Sequence, residues 1–123
     1  MGRALVCEDD APIRALVKRL IERTGFEVET VEDGAAALER LRDDCYNLVV
    51  LDLMMPGVDG YEVIRKLREE RPANLKHIIV MSAASDAIRS EFQEPVCAVI
   101  AKPFDIARLT AAVRECTLEC DDA

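Results

Sequence analysis

Four short apolar runs in this 123-residue chain are each followed at once by a residue able to carry charge or donate a proton. Residues 4–7 (ALVC) lead into Glu8, Asp9 and Asp10, and residues 48–51 (LVVL) lead into Asp52. Residues 78–81 (IIVM) lead into Ser82, and residues 98–101 (AVIA) lead into Lys102 and Pro103. Singly these are ordinary: an acid after a strand commonly caps a helix, and a serine there commonly closes a turn. Together they carry chemistry. Two like charges ~4 Å apart repel by about 4 kcal/mol at an effective dielectric of about 20, so gathered carboxylates require raised pKa values or a cation. An all-oxygen set without His or Cys suits Mg²⁺ better than zinc. Lys102 in such a cleft serves as an ion-pair partner or as a point charge holding phosphoryl oxygens. The Ser82 hydroxyl and nearby N–H groups offer the donors an equatorial phosphoryl oxygen requires.

The elements that must bring these residues together are legible in the periodicity. Ile13, Leu16, Val17, Leu20 and Ile21 recur at helical spacing on one face. Asp10 is placed to cap that helix, Pro12 is tolerated in its first turn, and Thr24-Gly25 ends it. A second strand is expected around residues 27–31, and Asp33-Gly34 turns into an alanine-rich helix through Leu38 and Leu41. Residues 48–51 are apolar on every side, as in a strand covered on both faces. Residues 55–60 (MPGVDG) form a turn before a third helix through Val63, Ile64 and Leu67. A weak helix is expected over residues 86–92, stopped by Pro95, and Ile106, Leu109, Val113 and Cys116 line a last helix. Such alternation predicts an α/β fold: one doubly wound, five-stranded parallel sheet with right-handed crossovers. An eight-unit barrel would need about twice the length. In open sheets of this kind the crevice lies beyond the carboxyl ends of the strands, which gathers Glu8, Asp9, Asp52, Ser82 and Lys102 on one edge.

Composition narrows the function. The length suits one domain, with no linker, repeat or low-complexity stretch. Acids outnumber bases 24 to 16, and no basic run with interleaved aromatics offsets the net charge of −8, so no nucleic-acid partner is expected. No apolar run approaches the about 20 residues of a spanning helix, and the N-terminus turns acidic before a secretory core develops. Neither a membrane role nor export is expected, and the location reads as cytoplasmic. The five cysteines (Cys7, Cys45, Cys97, Cys116 and Cys120) are odd in number and lack a CxxC, so they read as reduced thiols. Cys116 and Cys120, four apart on one helix, read as apolar fillers, and His77 reads as structural.

The blocks LVCEDDAPIR, VVLDLMMPGVDGYE, IIVMSA and AKPF resemble the receiver domains of bacterial two-component response regulators, in the same order across nearly the whole chain. The resemblance implies a flavodoxin-like receiver fold with strand order 2-1-3-4-5 over residues 1–123, and no output domain in this chain. Position by position, it implies that Glu8 and Asp9 bind Mg²⁺ and that Asp52 is the phosphoacceptor. The Met54 carbonyl would complete the metal site, and Ser82 and Lys102 would contact the phosphoryl group. Lys102-Pro103 would be cis. The implied partners are a histidine kinase or histidine phosphotransfer protein as donor, and a downstream protein target. The chain would catalyse its own phosphorylation and slow dephosphorylation without being a turnover enzyme. Occupancy of Asp52 would be relayed to the surface formed by the last strand, the segment before it and the last helix.

The sequence also departs from that pattern. Val99 stands where the family usually has Tyr or Phe, the stretch from Ser82 to Lys102 is short, and EFQEPVC replaces a glycine-bearing approach to the last strand. Without a ring at Val99, coupling must rest on residues 83–86 and on repacking of the helix that follows. One competing reading is a phosphorylation-independent docking module; such modules typically lose the aspartate or the lysine, and both are kept here. Another is a hydrolase with an aspartyl-phosphate intermediate, which needs a second acid near Asp52; Leu53, Met54 and Met55 supply none.

In the resembling family, side chains at the positions of Met54 and Ala84 border the path of the hydrolytic water. Neither residue here accepts a proton, and losing one orienting contact costs about 10²-fold at most. The phosphorylated chain is therefore expected to be long-lived, and the double variant Met54→Asn, Ala84→Glu to decay faster. An unchanged decay rate would show that water positioning is not limiting.

Overall fold

The computed structural model describes residues 2–53, 55, 57, 59–70, 72–82, 96–102 and 105–117, with backbone alone for 72–74. Five strands, β1 (Arg3–Cys7), β2 (Glu27–Val31), β3 (Leu48–Asp52), β4 (Ile78–Ser82) and β5 (Ala98–Ala101), form one parallel sheet in the order β2-β1-β3-β4-β5. The central strands β3 and β4 are buried at every residue, the expected state for strands covered on both faces. Among the described residues the α-helices are α1 (Ala11–Glu22), α2 (Gly34–Asp43), α3 (Gly60–Glu70) and α4 (Ile106–Cys116). Residues Pro72–His77 form a 3-10 turn that the periodicity does not announce.

The helices divide between the two faces. Val17 and Ile21 of α1 pack with Leu109, Ala112 and Val113 of α4 against Ala4, Val6, Val50 and Ile79. Leu38 and Leu41 of α2 pack with Val63, Ile64 and Leu67 of α3 against Leu5, Val49, Leu51 and Val80. Aspartate side chains start each helix by accepting from backbone N–H groups: Asp10 from Ile13 (3.1 Å), Asp33 from Ala36 (2.8 Å), Asp59 from Glu62 (3.0 Å) and Asp105 from Ala107 (2.8 Å). Each such cap satisfies an N–H the helix cannot, typically worth about 1 kcal/mol.

The apolar stripes read from periodicity are narrower in the fold. Leu16, midway along α1, is 43% exposed, and Ile106, the first residue of α4, is 53% exposed. His77 is buried and lies outside the polar cluster, as a structural residue would. Its Nδ1 has no hydrogen-bond partner among the described residues, and burial lowers its pKa. The weak helix over residues 86–92 and the Lys102-Pro103 bond fall outside the described residues.

The reading of the cysteines as reduced thiols is corrected. Cys97 and Cys116, 19 residues apart, form a disulfide with Cα atoms 5.7 Å apart. Cys45 is also disulfide-bonded, whereas Cys7 is a free, buried thiol that its surroundings push well above the usual thiol range. No spacing rule pairs Cys97 with Cys116, because they meet only when α4 runs back along β5. Closing a loop of this length removes unfolded-chain freedom worth about 3 kcal/mol in the chain-entropy description.

Gly60, the first residue of α3, donates its N–H to the Leu53 carbonyl at 3.0 Å. A Cβ there would lie 2.5 Å from the Asp52 carbonyl oxygen and 2.6 Å from Leu53 Cα, both backbone atoms that cannot swing away. Gly60→Ala is therefore expected to destabilise the fold by about 1–3 kcal/mol in urea unfolding, as overpacking typically does. Wild-type stability in that variant would refute the close packing of α3 on the end of β3.

Candidate functional site

Register brings the polar residues abreast. Cys7 pairs with Leu51, so the next residues along, Glu8 and Asp52, emerge side by side. Asp52 and Ser82 are themselves the last residues of their strands, paired with Met81 and Ala101 respectively. The edge is fastened by backbone bonds: Glu8 N–H to the Val31 carbonyl (3.1 Å), Leu53 N–H to Met81 (3.0 Å) and Lys102 N–H to Ser82 (2.7 Å).

Glu8, Asp52 and Ser82 are buried, Asp9 is exposed, and Lys102 lies between. Glu8, Asp9 and Asp52 each offer a carboxylate oxygen within 4.8 Å of the others. The Lys102 ammonium donates to Glu8 Oε2 at 2.9 Å and to Asp52 Oδ2 at 3.0 Å. Burial raises the Glu8 pKa to about 7, with the Asp52 carboxylate adding to it, although Lys102 and the Asp10 N–H pull the other way. For Lys102, burial opposes the charge, but the two carboxylates outweigh it and raise its pKa. One ammonium against three carboxylates leaves the cluster anionic, an arrangement that accommodates a hard divalent cation. Glu8, Asp9, Asp52, Ser82 and Lys102 are thus brought to one edge, while Met54 lies outside the described residues.

Sequence reasoning missed Arg14. It sits in the first turn of α1, where the helix dipole disfavours a cation. Its guanidinium donates to the Glu8 carbonyl at 3.0 Å and the Asp9 carbonyl at 3.5 Å, and pairs with Glu32 at 3.1 Å. It holds the acidic loop to α1. A positive residue placed against the dipole was the signal that could have found it.

Glu8 makes stability depend on pH. Its folded pKa of about 7 lies above the ordinary 4.5, so the folded state holds a proton that the unfolded chain releases. The stabilisation is complete below the ordinary value and is lost as pH rises through about 7. In thermal unfolding without divalent cations, Glu8→Gln is expected to flatten that decline. A slope unchanged by the substitution would exclude Glu8 as its source.

The family model described as "Response regulator receiver domain" matches residues 4–114. The chain is 32% identical to the response regulator receiver protein CpdR of Brucella abortus, covering 94% of this chain and 96% of that protein. It is 37% identical to the transcriptional regulatory protein CseB of Streptomyces coelicolor over 89% of its length, but spans only about half (47%) of that relative. Among solved structures, the response regulator TrrA of Thermotoga maritima, in complex with Mg²⁺-BeF, superposes with a TM-score of 0.84 at 33% identity, covering 93% of this chain and 97% of that one. By family match and strand order alike, the chain belongs to the receiver domains of response regulators.

Proposed function

We propose that Asp52 accepts a phosphoryl group from the phosphohistidine of a histidine kinase or histidine phosphotransfer protein. The observation that carries this reading is the Lys102 ammonium held between two buried carboxylates, Glu8 and Asp52, at the carboxyl end of the sheet. A buried carboxylate with a cation fixed beside it has a settled orientation. In the transfer, an Asp52 oxygen forms the new P–O bond, the P–N bond to the donor histidine breaks, and the imidazole leaves with the bonding pair. Lys102, 3.0 Å from Asp52, neutralises the charge of the equatorial oxygens, and the Ser82 hydroxyl donates to one of them. Glu8, Asp9 and Asp52, with the Met54 carbonyl, would hold Mg²⁺, which when bound offsets the negative charge of donor and acceptor.

A surface for the donor is offered by Leu16 and Ile106, large apolar side chains exposed on the neighbouring helices α1 and α4. A donor protein placing its histidine over Asp52 would cover them. The downstream target is a protein that reads the conformational response of β5 and α4, and the cytoplasm is the setting in which kinases are charged from ATP. A phosphorylation-independent docking role is not favoured, because the acceptor and the lysine are both present and in contact.

Incubation with Mg²⁺ and a small acyl phosphate, followed by intact-protein and peptide mass spectrometry, is expected to add one phosphoryl group at Asp52. Asp52→Asn should abolish the addition, because an amide is neither nucleophile nor anionic ligand. Asp9→Ala should weaken Mg²⁺ binding and slow labelling, and Lys102→Ala should mainly uncouple labelling from conformational change. Full labelling of Asp52→Asn would overturn the assignment.

A further inference from the structure

We propose that Cys97–Cys116 is a reversible thiol–disulfide exchange site for low-molecular-weight thiols and disulfides of the glutathione class, and that it clamps α4 to the edge strand β5. The two residues differ in access: Cys97 is exposed just before β5, whereas Cys116, the last residue of α4, is buried, at 1% exposure. Exposed disulfides are the labile ones, because an external thiolate can reach a sulfur. The reduced form also has somewhere to go. Cys116 lies in the apolar cluster with Val17, Ile21, Leu109 and Val113, where a free thiol packs as a small hydrophobe. Cleavage therefore removes the tether without stranding a polar group in the core.

What the tether holds is one edge of the sheet. β5 is a four-residue edge strand with only Ile100 fully buried. A cleft of about 170 Å³ lies between Ala98 and Ile100 on β5 and Ala111, Ala112 and Glu115 on α4. The disulfide joins the residue just before Ala98 to the residue just after Glu115, at one end of this cleft. It closes β5, the turn bearing Lys102, and α4 into a ring. Its bearing on signalling rests on the function proposed above; the exchange chemistry does not.

Reduction proceeds by attack of an external thiolate on the Cys97 sulfur, which forms a mixed disulfide and expels the Cys116 thiolate, which takes up a proton. A second thiolate attacks the external sulfur of the mixed disulfide and frees Cys97, leaving two protein thiols and one oxidised external disulfide. Oxidation runs in reverse, the external disulfide accepting the two electrons and leaving as two thiols.

The test equilibrates the native chain in glutathione buffers from reducing to oxidising, quenches with an alkylating agent and maps each linkage by non-reduced peptide mass spectrometry. The expected result is reversible conversion of the Cys97–Cys116 linkage with the fold retained by circular dichroism. Cys116→Ser should trap Cys97 as a mixed disulfide with glutathione. Hydrogen exchange at the last turn of α4 should quicken at least about tenfold on reduction. A linkage that forms under no buffer, or that resists reduction until denaturant is added, overturns the exchange site, and unchanged exchange at α4 overturns the clamp. None of these readouts involves Asp52, so failure here and failure of the phosphoacceptor reading are separately visible.

Discussion

The constraint on which the structure turns is the repulsion between carboxylates at one end of the sheet. Glu8 and Asp52 are both buried, a few ångströms apart, and the protein offsets this with the Lys102 ammonium at 2.9 and 3.0 Å. The offset is incomplete by design of the charges present: burial still lifts Glu8 to about 7, and Asp9 adds a third carboxylate at the rim. An anionic residue of this kind is what a transferable group with its cation would settle against. Truncating either partner of such a buried pair leaves the other uncompensated, which is costlier than the pair's net worth.

Holding the cluster requires rigidity from every neighbouring strand. Parallel pairing sets β1 against β3 so that Glu8 and Asp52 emerge together, and β4 against β5 so that Lys102 follows Ser82. Two fully buried strands carry the central positions, and apolar layers on both faces prevent them from sliding. The connecting turns add local restraint. Arg14 fixes the loop bearing Glu8 and Asp9, and Gly60 lets α3 begin against the backbone of Asp52 and Leu53. Lys102 directly follows the edge strand β5, in which Ile100 alone is fully buried, so an edge element carries the group that completes the charge balance.

That asymmetry gives the disulfide its place. The central strands are held by burial on both faces, whereas β5 has a neighbour on one side only and a cleft beneath α4. The opposite edge is held by charge: Glu29 on β2 pairs with both Arg3 and Arg40 and accepts from the Tyr46 hydroxyl at 3.1 Å.

The order of elements, the Asp10 cap and the residues of the polar cluster are legible in the sequence, because period and punctuation are local properties of a chain, and the strand order follows from the family resemblance. Residues 48–51 and 78–81 are too uniformly apolar for anything but covered strands, whereas the caps at Asp33, Asp59 and Asp105 emerge only in the fold. What depends on distance between elements is settled by the fold. It shows the Lys102 ammonium shared between Glu8 and Asp52, the grip of Arg14 on carbonyls that no side-chain pattern encodes, and the exposure of Leu16 and Ile106. It also reversed the reading of the cysteines: Cys97 and Cys116 are 19 residues apart, and only the packing of α4 along β5 brings their Cα atoms to 5.7 Å. Spacing along a chain sets which residues share a face; it does not set which faces meet.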